Sequence, residues 1–125
     1  MKIAVIGLGF VGLSLATVLG SKNYKVVGID TDIKKIQKIE NGIIPFSEPE
    51  LQNILKLSLN KRLKISSDFE EINDCDFIFI SVGTPQSTDG SIDLTNIKLV
   101  SKIIGKHIQN TIENFAKEVA KSLDD

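Results

Sequence analysis

The stretch Ile3-Ala4-Val5-Ile6-Gly7-Leu8-Gly9-Phe10-Val11-Gly12 constrains this chain more than any other. A short apolar run without polar alternation is the pattern of a strand buried on both faces. A G-x-G-x-x-G follows it directly and opens a helical pattern, the context in which that motif has a mechanism. The first glycine permits a tight turn, the second lets the backbone approach a pyrophosphate, and the third lets helix and strand pack closely. The helix N-terminus then offers free N–H groups and partial positive charge to phosphates.

The rest of the chain repeats this alternation. Phe10 to about Gly20 reads as a helix, with Val11, Ser14, Leu15, Val18 and Leu19 as its expected inner stripe. Lys22-Asn23-Tyr24 is a turn and Val26-Val27-Gly28-Ile29 a second buried strand. Asp32 is placed to cap a helix carrying Ile33, Ile36 and Ile39 that stops at Gly42. Ser47-Glu48-Pro49-Glu50 reads as a capping box for a helix with Leu51, Ile54, Leu55 and Leu59 inward. Leu63-Lys64-Ile65 is a third strand, and Ser67 with Glu70 a second capping box for a short helix. Phe77 to Val82 is the longest apolar run and the fourth strand. Gly83 to Ser91 is loop, with Pro85 and the turn pair Asp89-Gly90. Asp93 then caps a helix with Ile97, Val100, Ser101, Ile104 and Ile108 on one stripe. A tail from Thr111 is also helical, with Ile112, Phe115, Ala116, Val119 and Leu123 on one face. Strands alternating with helices imply a parallel sheet covered on both faces.

Composition narrows the function. The 125 residues fit one domain, and 42% hydrophobic with 25% charged residues argues against disorder. A balance of 15 basic and 16 acidic residues leaves no excess for nucleic acid or an anionic membrane. No apolar run approaches the ~20 residues of a membrane span. One cysteine, Cys75, and one histidine, His107, supply neither a disulfide framework nor a structural zinc site. No signal peptide is evident, and a cytoplasmic address is the default.

The candidate site assembles around the glycine motif, Gly7 to Gly12. Asp30 ends the second strand near the ~20-residue spacing at which an acidic residue holds ribose hydroxyls. Its carboxylate would repel a 2′-phosphate, which favours NAD over NADP. Lys35, one turn into the next helix, is within reach of the adenosine side. Val82-Gly83-Thr84-Pro85 follows the fourth strand at its carboxyl end, where open parallel sheets bind ligands. Cys75 is placed at the opposite, amino end of the sheet with no His or basic residue flanking it in sequence, and reads as packing. His107 reads as a surface group or a partner of the helix C-terminus.

These motifs together resemble the N-terminal domain of the UDP-glucose/GDP-mannose dehydrogenases. The resemblance rests on residues 1 to 12 with their Phe10-Val11 pair, and on Gly28-Ile29-Asp30 with Lys35. It rests further on Gly42 followed by Pro45, Phe46, Glu48, Pro49 and Leu51, and on Val82-Gly83-Thr84-Pro85 followed by Asp89-Gly90-Ser91 and Asp93-Leu94. It covers residues 1 to about 108. That family oxidises a sugar-nucleotide alcohol to a carboxylate by hydride transfer to NAD. The resemblance implies that Gly7, Leu8, Gly9, Phe10, Val11 and Gly12 hold the pyrophosphate and that Asp30 and Lys35 hold the adenosine ribose. It implies that Val82, Gly83, Thr84 and Pro85 line the cofactor, with Thr84 supplying a hydroxyl. No catalytic residue and no metal ligand is assigned in this chain. The expected fold is α/β: a Rossmann-type doubly wound parallel sheet of about four strands, order 3-2-1-4, truncated, with a C-terminal helical tail. Residues 1–110 are the expected NAD-binding domain and 111–125 the tail of that same domain.

The chain departs from the family after Gln109. The family continues with another strand and a Lys-Ser-Thr-Val-Pro-type segment, and neither is present here. The tail resembles the helix that follows that segment, as though an internal piece were deleted or the domain truncated. The family's central and second nucleotide-binding domains, which carry the catalytic Cys and most sugar-nucleotide contacts, are also absent. The expectation is a chain that binds NAD without turnover, with UDP- or GDP-sugars engaged only by a full-length enzyme. The fourth strand loses a neighbour and becomes an apolar sheet edge, so a homo-oligomer is expected unless the tail covers it. Two rivals share the first motifs: a non-catalytic NAD-sensing regulatory module, and the first domain of a 3-hydroxyacid or 6-phosphogluconate-type dehydrogenase. Glu48-Pro49 and Asp89-Gly90-Ser91 argue against the second.

Overall fold

A computed structural model describes residues 1–124; Asp125, the last residue of the expected tail, lies outside the described residues. Four strands, β1 (Lys2–Ile6), β2 (Lys25–Ile29), β3 (Leu63–Ser66) and β4 (Phe77–Ile80), form one sheet in the order β3-β2-β1-β4. All three pairings are parallel, with Ile6 beside Ile29 on one side and beside Ile80 on the other. The helices are α1 (Phe10–Ser21), α2 (Ile33–Glu40), α3 (Pro49–Ser58) and α4 (Thr95–Asp124), with a 3₁₀ turn at Phe69–Ile72.

The sheet is apolar on both faces because each face has its own cover. Ile3, Val5, Val26 and Ile65 point into a core with Leu13 and Ala16 of α1, Ile36 and Ile39 of α2, and Leu55 of α3. Ala4, Ile6, Val27 and Ile29 point the other way, onto Ile72 of the 3₁₀ turn and Val100 of α4. The alternation explains why the first two strands read as unbroken apolar runs.

Several local expectations are corrected. The inner face of α1 is Gly12, Leu13, Ala16, Thr17 and Gly20, while Val11 and Val18 are exposed and Ser14, Leu15 and Leu19 only half-buried. Small residues at four-residue spacing let the helix axis approach the sheet, and the gain in contact outweighs burying the larger stripe. At Gly20 a Cβ would already touch the Leu63 and Ser58 side chains. Neither expected capping box forms. Helix α3 starts one residue later than the Ser47 box requires, with Glu48 as N-cap and Pro49 in the first turn, and no side chain caps it. Proline's fixed φ suits that first position and sets the start. At the 3₁₀ turn Asp68 takes the capping role given to Ser67, accepting from the Glu70 N–H. Asp32 caps α2 as expected, accepting from the Lys35 N–H.

The strand expected over Phe77 to Val82 ends at Ile80, and the helix expected to stop near Gln109 does not stop. It joins the tail as the single helix α4, begun by the Asp93 carboxylate accepting from the Thr95 N–H. His107 is therefore mid-helix, its Nδ1 2.8 Å from Asn73 Oδ1, and has no role at a helix C-terminus. The tail leaves β4 uncovered: Phe77, Phe79 and Ile80 are exposed, as are Ile112, Phe115 and Leu123. Cys75 is partly buried before β4, its thiol 3.4 Å from the Glu71 carbonyl and pushed up in pKa by burial. No described helix is long and apolar enough to cross a membrane.

Candidate functional site

The carboxyl ends of β1, β2 and β4 meet at the glycine turn, because β1 is the central strand and its neighbours were laid down on opposite sides of it. Gly7 has φ +95°, and a Cβ there would press on the Ser81 carbonyl at 2.7 Å. Gly12 packs still closer: a Cβ would run into the Gly7 carbonyl oxygen. Gly9 is the opposite case, with nothing within 4 Å of the Cβ position. The turn is thus closed toward the protein at Gly7 and Gly12 and open toward solvent at Gly9.

That opening is the floor of a cleft of about 620 Å³. Ten of the sequence candidates line it: Gly7, Leu8, Gly9, Phe10, Val11, Asp30, Lys35, Val82, Gly83 and Thr84. Gly12 is buried behind the turn, and Pro85 is exposed outside the lining. Helix α1 enters from Gly9 with no side-chain cap, so its first N–H groups face the cleft without an internal acceptor.

Asp30 forms one wall of the cleft. Its Oδ2 accepts from the Leu8 N–H at 2.9 Å and from Lys35 Nζ at 3.2 Å, and its Oδ1 from the Asp32 N–H at 3.0 Å. Burial alone would raise its pKa, but the N–H groups of Asp32 and Leu8 and the Lys35 ammonium outweigh it and hold the carboxyl below its ordinary value. The group is a fixed anion, aimed by three donors. Gly28 makes room for the Leu8 side chain, which a Cβ there would meet at 3.0 Å.

Sequence reasoning missed Thr31, Phe69, Ser81, Asn96 and Leu99, all of which also line the cleft. Ser81 had a signal: a hydroxyl ending an otherwise apolar strand run. Asn96 had none, because it is brought in by α4 folding back over β4. Its Nδ2 donates to the Gly83 carbonyl at 3.2 Å and steadies the second wall. Among the described residues no group of His, Cys, Asp or Glu is placed to hold a metal ion.

A parallel sheet with a glycine turn, an open helix N-terminus and an acidic residue closing the second strand defines a dinucleotide-binding α/β domain. The profile of the UDP-glucose/GDP-mannose dehydrogenase family, NAD binding domain, matches residues 1–118, and the chain belongs to that family. It is 43% identical over 109 residues to UDP-glucose 6-dehydrogenase TuaD of Bacillus subtilis, covering 86% of this chain and 24% of that protein. It is 36% identical over 125 residues to GDP-mannose 6-dehydrogenase of Pseudomonas aeruginosa, covering 98% of this chain and 29% of the relative. The solved GDP-mannose dehydrogenase from Pseudomonas aeruginosa superposes with TM-score 0.82 at 37% identity, over 86% of this chain and 25% of that one. The UDP-glucose dehydrogenase of Pyrobaculum islandicum superposes with TM-score 0.81 at 31% identity, over 88% of this chain and 26% of that one. The chain spans about a quarter of the length of these relatives. The family's cofactor is NAD. The residues present fit it: Gly9 leaves open the space a Cβ would fill, and a fixed carboxylate, Asp30, stands in the same cleft with its donors set.

Proposed function

We propose that this chain is the NAD-holding part of a nucleotide-sugar 6-dehydrogenase of the UDP-glucose/GDP-mannose type, and that by itself it binds cofactor without turning over substrate. The observation that carries the reading is the pairing of an open glycine turn with the anchored Asp30 carboxylate across one cleft. When bound, NAD supplies the hydride acceptor. The chain's own work is binding and orientation. The N–H groups at the start of α1 face the pyrophosphate. Asp30 accepts hydrogen bonds from the adenosine ribose hydroxyls, with Lys35 beside it, and its charge disfavours a 2′-phosphate. Val82, Gly83, Thr84 and Pro85 form the nicotinamide side, where Thr84 offers a hydroxyl. Residues 1–110 make the binding unit and 111–125 a tail of the same domain. A cytoplasmic compartment agrees with the single unpaired Cys75. The bare β4 edge supports self-association, and a monomeric elution profile by light scattering at tens of micromolar would count against it.

Calorimetric titration with NAD, NADP, UDP-glucose and GDP-mannose tests the reading on wild type and Asp30→Ala. NAD is expected to bind in preference to NADP, the sugar nucleotides not at all. Asp30→Ala is expected to weaken NAD by about tenfold or more, the scale of a hydrogen bond to a charged group. Wild-type protein that takes up no NAD at millimolar concentration ends the proposal.

A further inference from the structure

The glycine turn is tied to the protein at three points, and only two of them belong to the motif. The Gly7 N–H donates to the Ile29 carbonyl at 2.8 Å, which ties the turn to β2. The Leu8 N–H donates to Asp30 at 2.9 Å, which ties it to the ribose wall. The third tie comes from the other side of the sheet. Ser81, the residue after β4, donates its hydroxyl to the Gly7 carbonyl at 2.7 Å and lies 3.3 Å from the Ile6 carbonyl, while its own N–H donates to Ile6 at 2.7 Å. The Gly7 carbonyl lies outside the ladder of α1, whose first bond runs from the Leu13 N–H to the Gly9 carbonyl. The hydroxyl sits in the notch between Gly7 and Gly12 and would be struck by any Cβ at Gly12.

Ser81 therefore touches the turn that faces the pyrophosphate and is bonded in sequence to Val82, Gly83 and Thr84 of the opposite wall. We propose that Ser81 is a positioning residue: its hydroxyl fixes the distance between the glycine turn and the Val82–Thr84 wall, and so sets the cleft for a full dinucleotide. The proposal rests on the cofactor reading above. A hydroxyl at this point locks by one directional bond, where packing alone would leave the Gly7 carbonyl part-buried with no donor and free to tilt. The adenosine end is less dependent on it, because Asp30 is held by Asp32 and Lys35 on its own side.

The test compares wild type, Ser81→Ala and Ser81→Thr by calorimetry with NAD and with AMP, together with amide hydrogen exchange of the cofactor-free proteins. Ser81→Ala is expected to raise the Kd for NAD about five- to tenfold, the scale of one hydrogen bond, with AMP changed less than about twofold. Exchange at Leu8, Gly9 and Phe10 is expected to quicken while exchange in β2 stays level. Ser81→Thr keeps the hydroxyl and is expected to recover NAD affinity or, failing that, to restore slow exchange in the turn. Equal weakening of NAD and AMP, or unchanged exchange in the turn of Ser81→Ala, overturns the proposal. Wild type that binds no NAD removes the cofactor reading and the cleft-setting role with it. Quickened exchange in Ser81→Ala would then show only that the hydroxyl holds the turn.

Discussion

The two sides of strand β1 are built to different standards. On the β2 side, α1, α2 and α3 close a core in which Leu8, Leu13, Ala16, Ile39 and Leu55 are fully buried. On the β4 side the cover is Ile72 of the 3₁₀ turn and the first turns of α4, through Val100 with Ile104 beside it; these also pack on Val27 and Ile29 of β2, and beyond them the helix runs on with its apolar face bare. The cleft lies at the junction of these two halves. Its glycine turn and Asp30 wall belong to the tightly packed half. Its Val82–Thr84 wall hangs from the loosely packed one. Asp30 is therefore held by three donors on a packed frame, while the second wall depends on a few polar ties such as Ser81 and Asn96.

One substitution made on both sides gives the widest contrast. Gly12→Ala is expected to cost about 3 kcal/mol or more and to abolish NAD binding, because the added methyl meets backbone at Gly7. The same change at Gly105 in α4, where a Cβ meets nothing within 4 Å, is expected to stabilise by about 0.5–1 kcal/mol. Urea denaturation measures both, and equal effects would erase the distinction between the halves.

Acid titration sharpens the picture at the junction. Asp30 has a lowered pKa in the folded state, so the stability it confers is complete above the ordinary Asp value of 3.8 and is lost as pH falls through the folded value. The stability gap between wild type and Asp30→Asn should be level near neutral pH and shrink below about pH 4. A gap that widens on acidification would mean that burial, not the N–H groups and Lys35, governs this carboxyl.

A single buried hydroxyl tests the packing of α1. Thr17 Oγ1 is buried without a hydrogen-bond partner. Thr17→Val keeps the shape and removes the unpaired hydroxyl, so thermal unfolding should show a gain of about 1 kcal/mol. A loss would reveal a partner for that hydroxyl and a wetter interface between α1 and the sheet.

Much of this was legible in order and kind. The four strands, their sequence of helices and the turn at Asn23 (φ 69°) follow from runs and turn residues that act locally. The glycine motif and Asp30 were legible for the same reason: each residue's chemistry is stated by its type and its place after a strand. The inner face of α1 was not, because hydrophobicity ranks Val11 and Val18 above Gly12, Ala16 and Gly20, while the close approach of helix to sheet selects the small residues. The capping boxes failed because Pro49 and Asp68 outcompeted nearby serines by fixing where each helix begins.

The sequence by itself determined the parallel α/β order, the place of the glycine turn and the acidic residue beside it, since these depend on short-range patterning and backbone freedom. Only the tertiary structure decided which residues complete the cleft. Ser81 reaches across from β4 to the Gly7 carbonyl, 74 residues away, and Asn96 is carried in by α4 to donate to the Gly83 carbonyl. It also decided that α4 would run unbroken past its packed turns and leave the β4 edge open. That outcome depends on which surfaces find a partner in space, a fact that no local pattern encodes.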